Sequence, residues 1–152
     1  MKKAKKQPSI KLDLTVTERS QLRKNKIKKS DLSEFSIDEL SEIMGTGFKR
    51  ARELRALADF QRIPTIGIRF AEDLVFMGLY SIEELQYHNG AKLRDEYELK
   101  KGYTIDSCVE DQFRLVVHFA KTQDHSKTWW DFTEERKEYR SKVGYPADRP
   151  IL

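Results

Sequence analysis

Two short turn segments, twenty residues apart, carry the residues best suited to bind a ligand in this chain. The first is Gly45-Thr-Gly-Phe-Lys-Arg-Ala51 and the second is Thr65-Ile-Gly-Ile-Arg-Phe-Ala71. In each, the turn leads into a stretch whose apolar residues recur every three to four positions, which predicts a helix. The first N–H groups of a helix have no partner inside it, and they carry the positive end of its dipole. The chemistry predicted for both turns is therefore anion binding, with phosphate as the natural ligand.

Each turn supplies its own set of candidate phosphate contacts. Cationic side chains beside the amides would strengthen binding through charge-assisted hydrogen bonds. The candidate nucleic-acid-binding residues are Gly45, Gly47, Phe48, Lys49 and Arg50 in the first turn and Thr65, Gly67, Ile68 and Arg69 in the second. Since phosphate contacts carry no base information, binding would be insensitive to nucleotide sequence. The alternative is that these turns only connect packed helices.

The second turn resembles the hairpin of helix-hairpin-helix proteins, a module of DNA repair and DNA processing. The order Ile63-Pro64-Thr65-Ile66-Gly67, followed by Ala71, is similar to that family's apolar residue, glycine, apolar residue, glycine and small packing residue. The resemblance implies a helical fold that contacts the DNA backbone. Thr65 stands where the family usually has its first glycine, and a branched residue suits that position poorly if φ is positive there. The first turn keeps both glycines but has Met44 where the family often has proline.

Repeated helix-start signals surround these turns. Phe35-Ser-Ile-Asp-Glu-Leu40 and Tyr80-Ser-Ile-Glu-Glu-Leu85 are near copies, each with a Ser-x-x-Glu capping box. Gly45 and Gly90 follow the two copies at the same distance, so the segment around Asn89-Gly90 is a candidate for a degenerate third turn. The chain is thus expected to repeat a unit of helix, tight turn and helix.

The apolar periodicity predicts an all-α fold of tandem helix-hairpin-helix (SAM-like) repeats. One helix, predicted over residues 47–62, is the second helix of the first unit and the first helix of the second unit. It must end before Pro64, because the proline ring excludes helical backbone at the preceding residue. Another helix is predicted from Asp106 to about Lys121, with Cys108 on its apolar side. An aromatic latch, Trp129-Trp130-Asp131-Phe132, is expected to cap the core, although such a cluster could also stack on unpaired bases.

The domain organisation predicted from composition has three segments. Residues 1–30 form a basic arm with a short helix, residues 31–100 hold the tandem units, and residues 101–152 pack on them as a C-terminal helix, latch and extended tail. Residues 1–30 carry +9, which leaves −5 for the remainder of a chain whose net charge is +4. The arm is expected to be mobile up to about Lys11, either as a solubilising end or as a phosphate contact. The acidic remainder argues against nucleic-acid binding by the body of the fold.

Several function classes are disfavoured by the sequence. The single cysteine, Cys108, excludes an intrachain disulfide and makes a reducing, cytoplasmic setting the default. The apolar runs, such as residues 115–117 and 74–77, are far too short to cross a membrane. Cys108 and His118 are ten residues apart on one predicted helix, so they cannot meet as nucleophile and base. The three histidines have no metal-ligand spacing, and we expect no catalysis, metal or cofactor.

From about Asp59 to Phe132 the chain also resembles a narrower family, the small bacterial proteins described as pathogenicity-locus or mitomycin-resistance-like. The resemblance rests on the order Ile-Pro-x-Ile-Gly, Ala-Glu-Asp-Leu, Gly-Leu-Tyr-Ser-Ile-Glu-Glu-Leu, Asp-Ser-Cys-Val and Trp-Trp-Asp-Phe. Those names denote an association and no established activity. The expected function is non-sequence-specific DNA binding in repair or processing. The alternative is a protein-interaction adaptor that binds no nucleic acid.

Overall fold

The computed structural model describes residues 9–151, and this part of the chain is helical with no β-strand. The all-α fold class is confirmed. The chain divides into an N-terminal unit that ends at Tyr80 and a C-terminal unit that begins at Ser81. The α-helices are α1 (Val16–Lys24), α2 (Ile37–Met44), α3 (Phe48–Phe60), α4 (Ile68–Phe76), α5 (Ile82–Leu85), α6 (Gly90–Lys101), α7 (Cys108–Thr122) and α8 (Thr133–Val143). Short 3₁₀ helices cover Lys29–Glu34 and Trp129–Phe132. None of the helices in residues 9–151 is long and apolar enough to cross a membrane.

The N-terminal unit follows the helix-start signals of its sequence. Thr15 and Ser36 each accept a hydrogen bond from the amide three residues on, and the capping boxes with Glu18 and Glu39 are complete. The shared helix predicted over residues 47–62 is α3, and it is shorter at its C-terminal end. The core of this unit consists of Ile10, Leu12, Leu14, Leu22, Leu32, Leu40, Met44, Ala51, Leu54 and Ala58.

The segment before α1 is part of this core. This segment has no helical structure, and its alternate residues Ile10, Leu12 and Leu14 are buried. The alternation is expected for an extended segment that packs one face against the helices. The amide and carbonyl of Lys11 exchange hydrogen bonds of 2.9 and 2.8 Å with the side-chain amide of Gln61. The prediction of a mobile tail up to about Lys11 is therefore wrong for Ile10 and Lys11, and its residues 1–8 lie outside the described residues.

The C-terminal unit is built around α7, as its apolar periodicity predicted. Phe113, Leu115, Val116 and Phe119 of α7 are fully buried. Cys108, which was expected on the apolar side of this helix, is exposed at the first position of α7. The latch over Trp129–Phe132 contacts α7, but Trp130 keeps 55% of its surface exposed.

A network of buried ion pairs, which the sequence did not predict, joins the helices of the C-terminal unit. The fully buried carboxylate of Glu110 accepts hydrogen bonds from Arg140 at 2.7 Å and from Arg114 at 2.8 Å. Asp111 likewise accepts from Arg136 at 2.8 Å. Buried carboxylates must be paired in this way because an isolated buried charge is strongly unfavourable.

The chain end after α8 belongs to the same network. Arg149 donates two hydrogen bonds, of 3.0 and 2.9 Å, to the buried carboxylate of Glu98, which also pairs with the fully buried Arg94. The guanidinium of Arg149 also lies 4.1 Å from the ring centre of Tyr145. The end predicted as an extended tail is thus anchored to the unit by a buried acid.

Candidate nucleic-acid interface

The first turn joins α2 to α3 through one left-handed residue and one extended residue. Gly45 has φ +63°, a backbone conformation that glycine adopts without strain. Its N–H and that of Thr46 donate to carbonyls in the last turn of α2, at 3.3 and 3.1 Å. Gly47 has extended backbone, with φ −69° and ψ 163°, and is the N-cap of α3. The connection is therefore tight, because only Gly45, Thr46 and Gly47 separate the last residue of α2 from the first residue of α3.

The second turn, between α3 and α4, repeats that backbone pattern with a different residue. Thr65 has φ +63°, the same value as Gly45. Gly67 is extended, with φ −98° and ψ −174°, and is the N-cap of α4. The position where the sequence departs from glycine thus still takes the left-handed conformation, at a strain of about 1 kcal/mol for a residue with a Cβ. The two turns therefore match at these two positions, although their first residues differ.

The amides that open α3 and α4 are available to a ligand. Neither Gly47 nor Gly67 offers a capping side chain. Among residues 9–151, the N–H groups of Phe48, Lys49, Ile68 and Arg69 have no acceptor. A Cβ built on Gly47 or Gly67 would meet nothing within 4 Å, so the space beside each glycine is open. This combination of unpaired amides and open space is what an anion site at a helix start requires.

The cationic side chains near the turns fall into two groups. Lys49 and Arg69 are exposed and have no carboxylate partner within the described residues. Arg50 instead donates two hydrogen bonds of 2.9 Å to Glu18 and one of 2.6 Å to the carbonyl of Asp13. The hydrogen bonds that Arg50 donates to Glu18 raise the pKa of Arg50 and lower the pKa of Glu18 to about 2.

Arg50 therefore holds the segment before α1 in place and is not available to phosphate, so we leave it out of the candidate site. Sequence reasoning missed this pairing because Glu18 lies 32 residues away along the chain. Two other arginines of α3 are also engaged. Arg52 stacks on the ring of Tyr80 at 3.6 Å, and Arg55 donates to the carbonyls of Phe35 and Ser33.

The segment around Asn89-Gly90 does not repeat this geometry. The side chain of Asn89 caps α6 by accepting from the Lys92 amide at 3.1 Å. Gly90 is absent from the residues with positive φ, and a Cβ on it would lie 2.7 Å from the Cα of Arg114. Glycine is needed here for close packing between α6 and α7. The candidate third turn is therefore a capped and packed connection, unlike the first two.

Cys108 is exposed, and partial burial and a hydrogen bond with Asp106 raise the pKa of its thiol, which disfavours the reactive thiolate. No group of three or more His, Cys, Asp or Glu side chains in this range could hold a metal ion. Glu110 and Asp111 are each committed to arginine, as described above.

A comparison with protein-family models matches residues 53–138 to the family described as "Pathogenicity locus". The match spans more than half of the chain. This chain belongs to the Pathogenicity locus family. The matched region begins in α3 and runs into α8, so it contains the second turn but not the first. No curated protein and no solved structure gives a significant match.

Proposed function

We propose that this member of the Pathogenicity locus family binds the DNA backbone without sequence preference. In this proposal α2, α3 and α4 form two consecutive helix-hairpin-helix units, and each turn takes one phosphate. The observation that carries the proposal is the shared backbone of the two turns, a left-handed residue and then an extended glycine that leaves the next amides unpaired.

The phosphate contacts proposed at the first turn are Gly47, Phe48 and Lys49, and those at the second are Gly67, Ile68 and Arg69. Gly45 and Thr65 shape the turns without contacting the ligand. Main-chain amides and the helix dipole attract the phosphate, and one exposed cation per turn adds charge. Since α3 has 13 residues, the two sites are about 20 Å apart along its axis.

The exposed cations of α1 and the following loop provide a second, diffuse contribution in this proposal. Arg23, Lys24, Lys26, Lys28 and Lys29 are all exposed. Such residues increase affinity through release of counterions from DNA, which makes binding fall steeply with salt. The lysines of residues 1–8 lie outside the described residues, and a contribution from them stays a prediction.

The decisive experiment is a fluorescence-anisotropy titration of duplex, single-stranded and branched DNA at two salt concentrations. A Cβ at Gly67 meets nothing within 4 Å, and the side chain of Gly67→Val should cover the approach to the amides of α4, so we expect the Kd to rise about tenfold. Lys49→Gln and Arg69→Gln should each raise it about threefold. The matched control is Lys142→Gln in α8, which removes one exposed charge outside the proposed site and should leave the Kd unchanged.

An unchanged Kd for a folded Gly67→Val variant would remove the second turn from the site. Gly47→Val tests the first turn in the same way, because the space beside Gly47 is also open. Binding that depends on base order would contradict the proposal as a whole, since backbone amides do not read bases.

A protein-interaction adaptor is the second candidate, and exposed aromatic surface favours it. Phe48 is 55% exposed at the start of α3 and Tyr87 is 81% exposed between α5 and α6. The −5 charge of residues 31–152 also opposes DNA. An adaptor should show no saturable binding to any of the three DNA forms at low salt, so the same titration separates the two candidates.

A further inference from the structure

The first turn of the N-terminal unit carries an aromatic side chain that is largely exposed to solvent. Phe48 is the first residue of α3, and 55% of its surface is accessible. Its ring stacks on no other ring among residues 9–151. At the matching position of the second turn, Ile68 is partly buried and has no aromatic face. The exposed aromatic surface therefore distinguishes the first turn from the second.

The ring of Phe48 leaves the backbone at the same end of α3 as the unpaired amides. The N–H groups in the first turn of a helix point out of its N-terminus, and each Cα–Cβ bond tilts toward that end. The N–H groups of Phe48 and Lys49 have no acceptor in the part of the chain that the structure describes. A base is joined to its phosphate through a single sugar, so a phosphate held by these amides would bring its base close to the ring.

The charges at this helix start run against the usual preference. First turns favour acidic residues because the helix dipole is positive there, and α1 and α2 follow this rule with Glu18 and Glu39. The first turn of α3 has no acidic residue and begins with Phe48, Lys49 and Arg50. Arg50 is paired with Glu18, but Lys49 is exposed and has no carboxylate partner in residues 9–151. The uncompensated positive charge beside the ring favours an anionic ligand over an apolar protein surface.

An exposed ring beside a phosphate site is suited to one form of DNA. In a duplex the bases are paired and stacked inside, so a side chain at the backbone does not reach a base face. In a single strand the bases can turn outward and stack on an aromatic side chain. Because every base has a π face, this contact tolerates any sequence, as does phosphate binding by main-chain amides.

We propose that Phe48 stacks on an unpaired base, which makes the first turn a contact for single-stranded DNA. This inference rests on the proposed function, because it requires a phosphate at the amides of α3. Lys49 supplies charge to the phosphate of the same nucleotide. The second turn has Ile68 in place of the aromatic ring, so it binds phosphate in single-stranded and duplex DNA alike.

The test measures the Kd by fluorescence anisotropy for three labelled ligands at one low salt concentration. These are a mixed-sequence single strand, its blunt duplex, and an abasic strand of equal length that keeps the phosphates but lacks the bases. Phe48→Ala should raise the Kd for the single strand about tenfold and that for the duplex and the abasic strand by less than about twofold. An equal rise for all three ligands would show a general effect on the turn and overturn the inference, as would an unchanged Kd for the single strand.

Two further variants at the same position and one matched control test the role of the ring. Phe48→Trp keeps a π face and should stay within about twofold of the wild-type Kd for the single strand, whereas Phe48→Leu keeps only apolar surface and should raise it about fivefold. The control is Val16→Ala, because Val16 is an 84% exposed apolar residue at the first position of a helix that Thr15 caps. It should change none of the three Kd values. Equal losses for Phe48→Trp and Phe48→Ala would exclude stacking.

Gly67→Val separates failure of this inference from failure of the proposed function. If Gly67→Val weakens duplex binding while Phe48→Ala leaves the Kd for the single strand unchanged, the amides bind phosphate and only the stacking role is wrong. If the wild-type protein shows no saturable binding to any of the three ligands, both proposals are wrong, and Phe48 remains as a contact for a protein partner. Urea unfolding of each variant confirms that the changes in Kd come from folded protein.

Discussion

The two units of this protein differ in how several of their cationic side chains are used. In the C-terminal unit Arg94, Arg136 and Arg140 are buried and paired with carboxylates. In the N-terminal unit Lys49 and Arg69 are exposed beside helix starts and have no carboxylate partner in the described residues. A paired arginine stabilises the fold but cannot take a ligand without leaving a buried acid uncompensated. Binding of an anionic ligand therefore depends on how many basic side chains are unpaired and exposed, and not only on how many the chain contains.

The largest effect is expected from breaking the buried network of the C-terminal unit. Arg140→Met removes a partner of Glu110 and Asp95, and it should lower the free energy of unfolding by about 3 to 5 kcal/mol. The measurement is urea unfolding at neutral pH. Lys142→Met is the control from the same helix, because its pair with Glu138 is more than 70% exposed and should contribute almost nothing. A loss below about 1 kcal/mol for Arg140→Met would show that the buried pairs do not hold this unit together.

A smaller effect is expected from a methyl group added at two glycines, one in each unit. Gly90→Ala places a Cβ 2.7 Å from the backbone of Arg114, so it should lower the free energy of unfolding by about 2 to 3 kcal/mol. Gly47→Ala enters open space and should lower it by less than about 1 kcal/mol. Urea unfolding of both variants makes the comparison. Equal losses would contradict the distinction between a packed glycine and an open one.

The pair that ties Arg50 to Glu18 predicts a pH-dependent contribution to the N-terminal unit. The hydrogen bond from Arg50 lowers the pKa of Glu18 from its ordinary 4.5 to about 2. Because the folded pKa is depressed, the contribution is fully present above about pH 4.5 and is lost as pH falls toward 2.

We expect Glu18→Gln to lower the free energy of unfolding by about 2 kcal/mol at neutral pH. This is less than the full linkage value, because the Arg50 side chain is 37% exposed. Denaturant unfolding of both proteins across the acid range should show the difference shrinking below pH 4.5. A difference that stays constant down to pH 2 would exclude the ion pair as its cause.

The smallest effects compare the two left-handed residues of the turns. Thr65→Gly removes the strain of a Cβ at φ +63°, offset in part by the entropy of glycine, and should raise the free energy of unfolding by up to about 1 kcal/mol. Gly45→Ala introduces that strain and should lower it by about 1 kcal/mol. Thermal unfolding measures both. If backbone strain decides both results, the two variants must change the free energy of unfolding in opposite directions. The threonine hydroxyl donates to the Pro64 carbonyl at 2.6 Å, and a destabilised Thr65→Gly would show that this hydrogen bond outweighs the strain.

Local patterns predicted most of the secondary structure because each signal acts within a few residues. The Ser-x-x-Glu box starts α2 at Ile37, and Pro64 lies just beyond the end of α3 at Phe60. The apolar periodicity of residues 108–120 predicted the long α7. The boundaries differ by one or two residues in most cases, as expected at fraying helix ends.

The candidate site was predicted only in part. Its turn residues come from a contiguous motif, so Gly47, Lys49, Gly67 and Arg69 could be selected from sequence alone. Arg50 is excluded from the candidate site because it pairs with Glu18. A local sequence pattern cannot reveal this pair, since the two residues are 32 positions apart.

The sequence by itself determined which segments of this chain are helices and where its tight turns lie, because caps, glycines, prolines and apolar spacing act locally. Only the tertiary structure decided which cationic side chains are paired with carboxylates and which remain available to a ligand. Glu98, Glu110 and Asp111 are buried by packing and must be neutralised, so they recruit arginines from distant positions. The exposed cations of the turns stay unpaired because no buried acid faces them among the described residues.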